Sequence, residues 1–404
     1  MFDKIISKSV LSKKPTLMMR SLLFILFALS MLFLNACSEE ESNEVNRFRI
    51  DNAVIEEGSS SRIVDVSVTL DGSLTSQISV EFEVAEGSAS FGSDLIRTEG
   101  QIQFGPGELT AVMPVEVVGD SHFELSEFFE VRLTYEGDQS SYSVSIIDDD
   151  EMEPVLSDEQ GFYTPDEYPS MELIWSDEFD GNQLNPDNWT YEIGDGTEQG
   201  IPGWGNEELQ LYTDDEENVR LEDGKLLITA KETENSYTSA RIITQDKVEV
   251  QFGRIDIRAK MPKGQGIWPA LWMLGANIDD VSWPASGEID IMELVGHEPG
   301  IVHGTVHFEN NGYQTSSGSF VLQDGIFADQ YHVFTTVWER NRIRWYVNNQ
   351  LYKTFTRGSI GNYPFNSPFF FIMNVAVGGR WPGNPDETTE FPQQMSVDYI
   401  RMFK

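Results

Sequence analysis

The stretch "SGEIDIMELVG", Ser286 to Gly296, sets three carboxylates, Glu288, Asp290 and Glu293, among aliphatic residues. Strand side chains alternate faces, so a regular strand would put Glu288 and Asp290 on one side and Glu293 on the other, among the partners of Ile289 and Ile291. Burying an unpaired glutamate there would cost several kcal/mol or force its protonation. A helix is excluded, because the stretch is short between Gly287 and Gly296 and helical spacing would scatter Ile289, Ile291 and Leu294 around the axis. A β-bulge at Ile291 and Met292 removes the conflict. One extra residue restores the phase, so the three acids share one face while Ile289, Ile291 and Leu294 face the core.

Three like charges on one face repel one another, and at least one must take a raised pKa, leaving a protonated acid beside an ionised neighbour. Two such carboxyls about 5 to 5.5 Å apart suit glycosidic bond cleavage with retention, one as nucleophile and one as acid/base. Two other readings remain open on the residues alone: a hard-metal site that recruits His307, and an acidic, solvated edge strand.

The pattern around this stretch is β throughout. "KLLITAKE", "FGRIDIRAKM", "IVHGTVHFE", "VFTTVWE", "FFFIMNVAVGG" and "SVDYIRMF" read as strands joined by Gly, Pro and Asn turns, and Asn348-Asn349 marks a hairpin. That much strand in residues 173–404 implies two stacked sheets. All nine tryptophans lie at or after Trp175, a boundary that separates a first domain. There "RIVDVSVTL", "ISVEFEV", "AVMPVEVV" and "FFEVRLTY" alternate apolar and polar residues, the pattern of a small antiparallel β-sandwich over 47–150. Residues 151–172 read as a polar, proline-containing linker.

The chain of 404 residues carries a formal charge of −40, which argues against nucleic acid or an anionic membrane surface as its partner. A basic flank, an apolar run from Leu22 to Leu34 and "LNAC" ending at Cys37 read as a signal peptide over 1–36. "LNAC" resembles the lipobox of bacterial lipoproteins, which implies lipidation of Cys37 and anchoring in the cell envelope, at the outer membrane. The acidic "SEEES" that follows resembles a surface-export signal. Met18 or Met19 would start a leader of more usual length. Cys37 is the only cysteine, so no intramolecular disulfide supports the fold.

Residues 47–150 resemble the Calx-β family, through "EEG" at Glu56 to Gly58, "GSDL" at Gly92 to Leu95, "FGPGE" at Phe104 to Glu108, "GDSHFELSEFFEVRL" and the closing "SIIDDD". The resemblance implies that Glu57, Asp94, Asp120 and Asp149 either bind Ca²⁺, a hard cation that wants oxygen ligands, or are solvated acids of a spacer.

"GEIDIMELVG" followed by "HGTVHF" is similar to the signature of glycoside hydrolase family 16, in its bulged, laminarinase-containing branch. "WSDEFDG", "WGNEELQLYT", "FGRIDIRAKMPKGQGIWPALWML", "NVAVGGRWPG" and "MSVDYIRMF" follow in the family's order. The resemblance covers 173–404 and implies an all-β architecture, a β-jelly-roll catalytic domain preceded by the smaller Calx-β-like sandwich. It assigns Glu288 as nucleophile, Glu293 as acid/base, Asp290 as the residue tuning the nucleophile, and His307 as a neighbour of the acid/base. Asn206, Glu207, Arg241, Trp268, Trp272, Trp283 and Trp381 fall where the family contacts sugar, although each tryptophan could equally be core. Glu178, Gly224 and Asp398 correspond to a structural Ca²⁺ site on the face away from the cleft. No cofactor is needed for catalysis. The implied substrate is β-1,3-glucan or mixed-linkage β-glucan, cleaved by a monomer, against the alternatives of agarose, porphyran or carrageenan hydrolysis or of binding without catalysis.

Overall fold

The computed structural model describes residues 48–51, 53–152, 155–168 and 170–404. The leader and Cys37 lie outside the described residues. The described residues form β-sandwiches almost entirely, with a single α-helical turn at Ile278–Val281, and no helix among them is long and apolar enough to cross a membrane.

The first sandwich stacks a four-stranded on a five-stranded sheet. Its alternation does what period two requires: Val66, Val68 and Leu70 of one sheet meet Val80, Val84, Phe129, Val131 and Leu133 of the other in a closed core.

The second sandwich carries the acidic strand. In chain order, the main strands of the sheet that holds it are β1 (Arg241–Ile243), β2 (Ile267–Gly275), β3 (Glu288–Glu293), β4 (Ile301–Glu309), β5 (Tyr313–Val321) and β6 (Phe369–Val377). Their spatial order is β1, β6, β2, β3, β4, β5. A ten-stranded sheet packs behind them, and its Ile255, Ile257, Phe334, Trp338, Ile343 and Trp345 share one core with Ile289, Ile291, Met292 and Leu294.

The bulge lies where the sequence places it. On β4, Asp290 pairs with Thr305 and Glu293 with His303. On β2, Met292 pairs with Leu271 and Asp290 with Trp272. Ile291 is the extra residue. Both bulge residues, Ile291 and Met292, turn into the core, which is where the apolar transfer energy of this strand is gained. The bulge is also tied from behind: Trp345 Nε1 donates to the Asp290 carbonyl at 2.8 Å across the core. Gly304 leaves room for that indole, because a Cβ there would sit 2.5 Å from Trp345 Cδ1.

Residues 151–172 are not a loose linker. Their described residues, 151–152, 155–168 and 170–172, run along the outer face of the ten-stranded sheet, where Arg254 and Asp256 are fully buried. Tyr168 OH donates to Asp256 Oδ2 at 2.8 Å, the Thr164 amide donates to Tyr399 OH at 2.8 Å, and Arg254 Nη1 reaches Met152 Sδ at 3.2 Å. The segment is polar by composition, but its aromatic residues seal a charged row that would otherwise face solvent.

Candidate active site

Period two on β4 places His303, Thr305 and His307 on one face, opposite Glu293, Asp290 and Glu288. Each glutamate then acquires its own donor. Trp283 Nε1 donates to Glu288 Oε2 at 2.7 Å, and Trp268 Nε1 to Glu293 Oε1 at 3.1 Å. His307 Nε2 stands 3.2 Å from Asp290 Oδ2 and 3.7 Å from Glu288 Oε1, with Nδ1 fixed on Tyr313 OH at 2.6 Å.

Burial raises all three carboxyls. Glu288 is pushed up to about 8 by burial and then by Asp290, while His307 and the Trp283 N–H oppose the shift. Burial likewise raises Asp290 to about 7. Glu293 rises well above the usual range, by burial and then by the charges of Asp290 and Glu288. Near neutral pH, Glu293 therefore keeps its proton and can give it to a leaving group. Glu288 and Asp290 share one proton between them, and the donors that favour charge are aimed at Glu288.

The ligand atoms of Glu288, Asp290 and His307 all lie within 4.8 Å of one another, close enough to raise the hard-metal reading. A hard cation asks for six or more oxygens, more than the Glu288 and Asp290 carboxylates supply, and the groups bonded to the two glutamates are indole N–H donors, which cannot ligate. The solvated-edge reading fails as well, because β3 is paired on both sides and Asp290 is 2 % exposed.

Aromatic side chains lie on both sides of the carboxylates. Trp381 packs edge-on against Trp268 at 5.5 Å and against His303 at 5.1 Å, next to Glu293. Trp283 and Tyr313 lie 5.3 Å apart next to Glu288. Trp381, Trp283 and Tyr313 are all substantially exposed, as faces that stack on sugar rings must be.

Arg241 is buried between Trp204, at 4.4 Å, and Trp272, at 4.9 Å, and its Nε donates to Glu192. Trp272 Nε1 donates to Asn374 Oδ1 at 2.8 Å, and Asn374 Nδ2 to Tyr212 OH at 3.0 Å. Tyr212 OH continues to Glu208 Oε2 at 3.3 Å, and Asn206 Nδ2 reaches Glu208 Oε1 at 3.2 Å. Glu207 is not in this network. It is exposed and pairs with Arg380 at 3.1 Å. The adjacent Glu208 holds the position expected of Glu207, because Glu207 has a positive φ of 62° and that turn reverses which of the two glutamates points inward. His303, Tyr313, Glu192 and Glu208 were missed from sequence. Only the two histidines carry a readable signal, their even spacing with Thr305.

The expected calcium set fares differently. Glu178, Gly224 and Asp398 do line one cavity. Arg401 holds Glu178 through Nε and Nη2 at 2.9 and 2.7 Å, while Arg258 bonds Asp398 and Lys225 stands 3.3 Å from it. Guanidinium and ammonium groups already take the carboxylate oxygens a cation would need, so these residues do not fit Ca²⁺.

The acids named in the first sandwich do collect at one end. Gly58 N donates to Asp149 Oδ1 at 2.7 Å, and the charges of Glu124, Asp148 and Asp120 raise Glu57, as those of Asp94, Asp120 and Asp148 raise Glu124. Glu127 hydrogen-bonds Asp94. Burial pushes Glu57 up to about 8, Glu124 to about 7, Glu127 to about 9 and Asp148 to about 6. Asp148 is buried, and its Oδ2 has no partner. Carboxylate oxygens with few counter-charges beside them are the ligand type a hard cation takes.

The family model described as glycosyl hydrolases family 16 matches residues 206–401, and that of the Calx-beta domain matches residues 41–150. A β-glucanase of Rhodothermus marinus is 41% identical over 256 residues, 59% of this chain and 87% of its own. The chain belongs to glycosyl hydrolase family 16. It is also 41% identical over 280 residues to glucan endo-1,3-β-glucosidase A1 of Niallia circulans, spanning 62% of this chain but only 41% of that longer relative. Among solved structures, the laminarinase catalytic domain of Thermotoga maritima is similar at 46% identity and a TM-score of 0.54, over 58% of this chain and 98% of that one. The jelly-roll class and the identity of the chain as a glycoside hydrolase rest on these relatives together with the geometry above.

Proposed function

We propose that this family 16 hydrolase is an endo-acting, retaining β-glucanase that cleaves β-1,3-glucan by double displacement. The observation that carries the reading is the bulge, which turns Glu288, Asp290 and Glu293 to one face with a separate donor on each glutamate. Glu288, its charge favoured by Trp283 N–H and His307, attacks the anomeric carbon while Glu293 gives its proton to the departing glycosidic oxygen. The resulting glycosyl ester at Glu288 is hydrolysed by water that Glu293, now ionised, deprotonates, and both residues return to their starting state. Asp290 shares a proton with Glu288 and so tunes its readiness to attack. Exposed aromatic faces on both sides of the carboxylates accommodate sugar on either side of the scissile bond, which favours internal cleavage. The assignment to β-1,3-glucan is supported by the aromatic row Trp381, Trp268, Trp283 and Tyr313 and by the similarity to laminarinases.

In this reading Cys37 is lipidated and anchors the enzyme at the outer membrane, and calcium has a structural role at the acidic end of the first sandwich, where Glu57, Asp94, Asp120, Glu124 and Asp148 to Asp150 would hold it. The deciding experiment is a substrate panel of laminarin, lichenan, curdlan, agarose and carrageenan, with the first-released anomer followed by NMR. Laminarin as the preferred substrate with a β-anomer released first is expected. An α-anomer ends the retaining mechanism, and agarose or carrageenan as the preferred substrate moves the specificity elsewhere in the family.

A further inference from the structure

A lysine is buried in the sandwich behind the catalytic sheet. Lys353 lies on the strand Gln350–Thr356, at the edge of the ten-stranded sheet, and is 8 % exposed. Its place follows from a second bulge: Trp345 pairs with Lys353 and Tyr346 with Leu351, so Tyr352 is the extra residue. A regular strand would turn Tyr352 and Lys353 to opposite faces, whereas the bulge lets both point toward the catalytic sheet. Two glycines leave the space they need. Gly304 of β4 and Gly318 of β5 face each other in register. A Cβ on Gly304 would stand 2.6 Å from Tyr352 OH, and one on Gly318 would stand 2.9 Å from Lys353 Cβ.

The ammonium finds few partners there. Lys353 Nζ donates to the Ser316 carbonyl, reaches Ser316 Oγ at 3.3 Å and stands 4.8 Å from the centre of the Trp345 ring. That indole is the one whose N–H holds the Asp290 carbonyl. Taking an ammonium out of water costs several kcal/mol, and one serine and a ring face replace only part of its hydration. Burial accordingly pushes Lys353 down to about 8, and the charge that supports its proton is that of Asp290. The effect is mutual, because Lys353 favours the ionised form of Asp290. The other titratable groups of this region are Glu288 and Glu293 on β3, His303 and His307 on β4, Tyr313 on β5 and Tyr352 beside the lysine. Arg342 and Arg344, on the adjacent strand, are held by Glu339.

We propose that Lys353 is a positioning residue of the catalytic cluster, a cation buried behind β4 and β5 that favours, through the sheet, the negative charge shared by Glu288 and Asp290. The proposal rests on the reading of Glu288 as the nucleophile. Glu288 attacks only as a carboxylate, and it stands among acids that oppose its ionisation. His307 relieves that repulsion from the cleft side, where solvent screens it. Lys353 acts from the core side, where little water screens a charge and its influence extends further. It touches neither sugar nor a reacting atom. Its effect is on the fraction of the Glu288–Asp290 pair that is ionised at a given pH.

The test is the pH dependence of kcat/KM on laminarin for wild type, for Lys353→Met, which keeps the length and removes the charge, and for Lys353→Arg, which keeps the charge. Removing a nearby positive charge raises the pKa of the Glu288–Asp290 pair. The acidic limb of Lys353→Met is therefore expected to move to higher pH by about half a unit or more, a loss of about threefold on that limb carried by kcat with KM little changed. Lys353→Arg is expected to keep the wild-type limb. A wild-type limb in Lys353→Met overturns the proposal and leaves Glu288 as the nucleophile. An equal loss at every pH in both variants also overturns it, because lost packing has no pH dependence of this kind. A wild type that releases the α-anomer first overturns the nucleophile reading and the proposal with it. Should Lys353→Met fail to fold, Gly318→Ala decides. Its methyl group would stand 2.9 to 3.0 Å from Lys353 Cβ, Cγ and Cδ and displace the ammonium, so the acidic limb is expected to move in the same direction, and an unmoved limb overturns the proposal.

Discussion

The molecule gathers carboxylates twice, at the bulged strand of the second sandwich and at the loop end of the first, and the two clusters resolve the same repulsion differently. At Glu288, Asp290 and Glu293 the backbone is a strand paired on both sides and tied through the Asp290 carbonyl to Trp345. Indole N–H groups and His307 are aimed at individual oxygens. Repulsion there is absorbed by protons held at defined positions, which is the state an acid/base pair must start from. At Glu57, Glu124, Glu127 and Asp148 the acids ride largely on loops, and the donor to Asp148 is a backbone amide, that of Glu124. A fixed set of side-chain donors turns crowded acids into chemistry, whereas acids on loops are answered by solvent, by protons or by a cation.

The sharpest way to break this comparison is to remove the glutamates. Glu288→Ala and Glu293→Ala are each expected to lower kcat by about 10²- to 10⁴-fold or more. Azide separates their roles: with an activated substrate, Glu293→Ala should give the β-glycosyl azide and Glu288→Ala the α-glycosyl azide. The reverse stereochemistry would exchange the two assignments, and wild-type rates in both would reduce β3 to another acidic patch. Asp290→Asn should cost less, about ten- to a hundredfold, and should also move the pH profile. Because the Asp290 charge helps to raise Glu293, removing it lowers the Glu293 pKa, and the alkaline limb of kcat should shift to lower pH. A shift to higher pH would contradict Glu293 as the group that holds the proton beside a charged Asp290.

Smaller effects concern what supports each cluster. A chain beginning at Leu173 lacks Tyr168 over Phe403 and Asp256, and it should lose about 2 to 4 kcal/mol of stability in thermal or denaturant unfolding relative to one beginning at Val155. Both should cleave soluble glucan at similar rates below their melting temperatures. Equal stability would show that residues 155–172 are only a tether.

The smallest expected effect separates the clusters by pH. Glu57, Glu124 and Glu127 have folded pKa values raised from 4.5 to about 8, 7 and 9, and Asp148 from 3.8 to about 6. Their protonated forms are favoured in the fold, so their contribution is fully present below about pH 4 and is lost as pH rises toward 9. In chelator, the melting temperature of the first sandwich should decline across that window, and Ca²⁺ should flatten the decline. A flat profile in chelator would mean that the loop acids are as well compensated as those in the cleft.

Much of the site was legible because strands obey a two-residue period. That rule exposed the misfit of Glu293, required one extra residue, and placed Glu288, Asp290 and Glu293 together. It would equally have exposed His303 beside His307. Positions on turns were not legible: a positive φ at Glu207 sends its side chain outward and leaves Glu208 in the network, and nothing in "NEEL" distinguishes the two. Pairing across distant segments was also hidden. Arg258 and Asp398 are 140 residues apart in sequence, so the cations that occupy the expected calcium ligands appear only once strands have been brought side by side.

By itself, the sequence determined the all-β class, the bulge and the gathering of three carboxylates on one face, because each follows from local periodicity and composition. Tertiary structure decided which donor reaches which oxygen, which of two adjacent glutamates turns inward, that residues 151–172 pack along the back sheet, and that Lys353 is buried behind β4 and β5. Those outcomes depend on energies of contact between residues far apart in the chain, and such energies are settled only when burial brings the partners within hydrogen-bonding and packing distance.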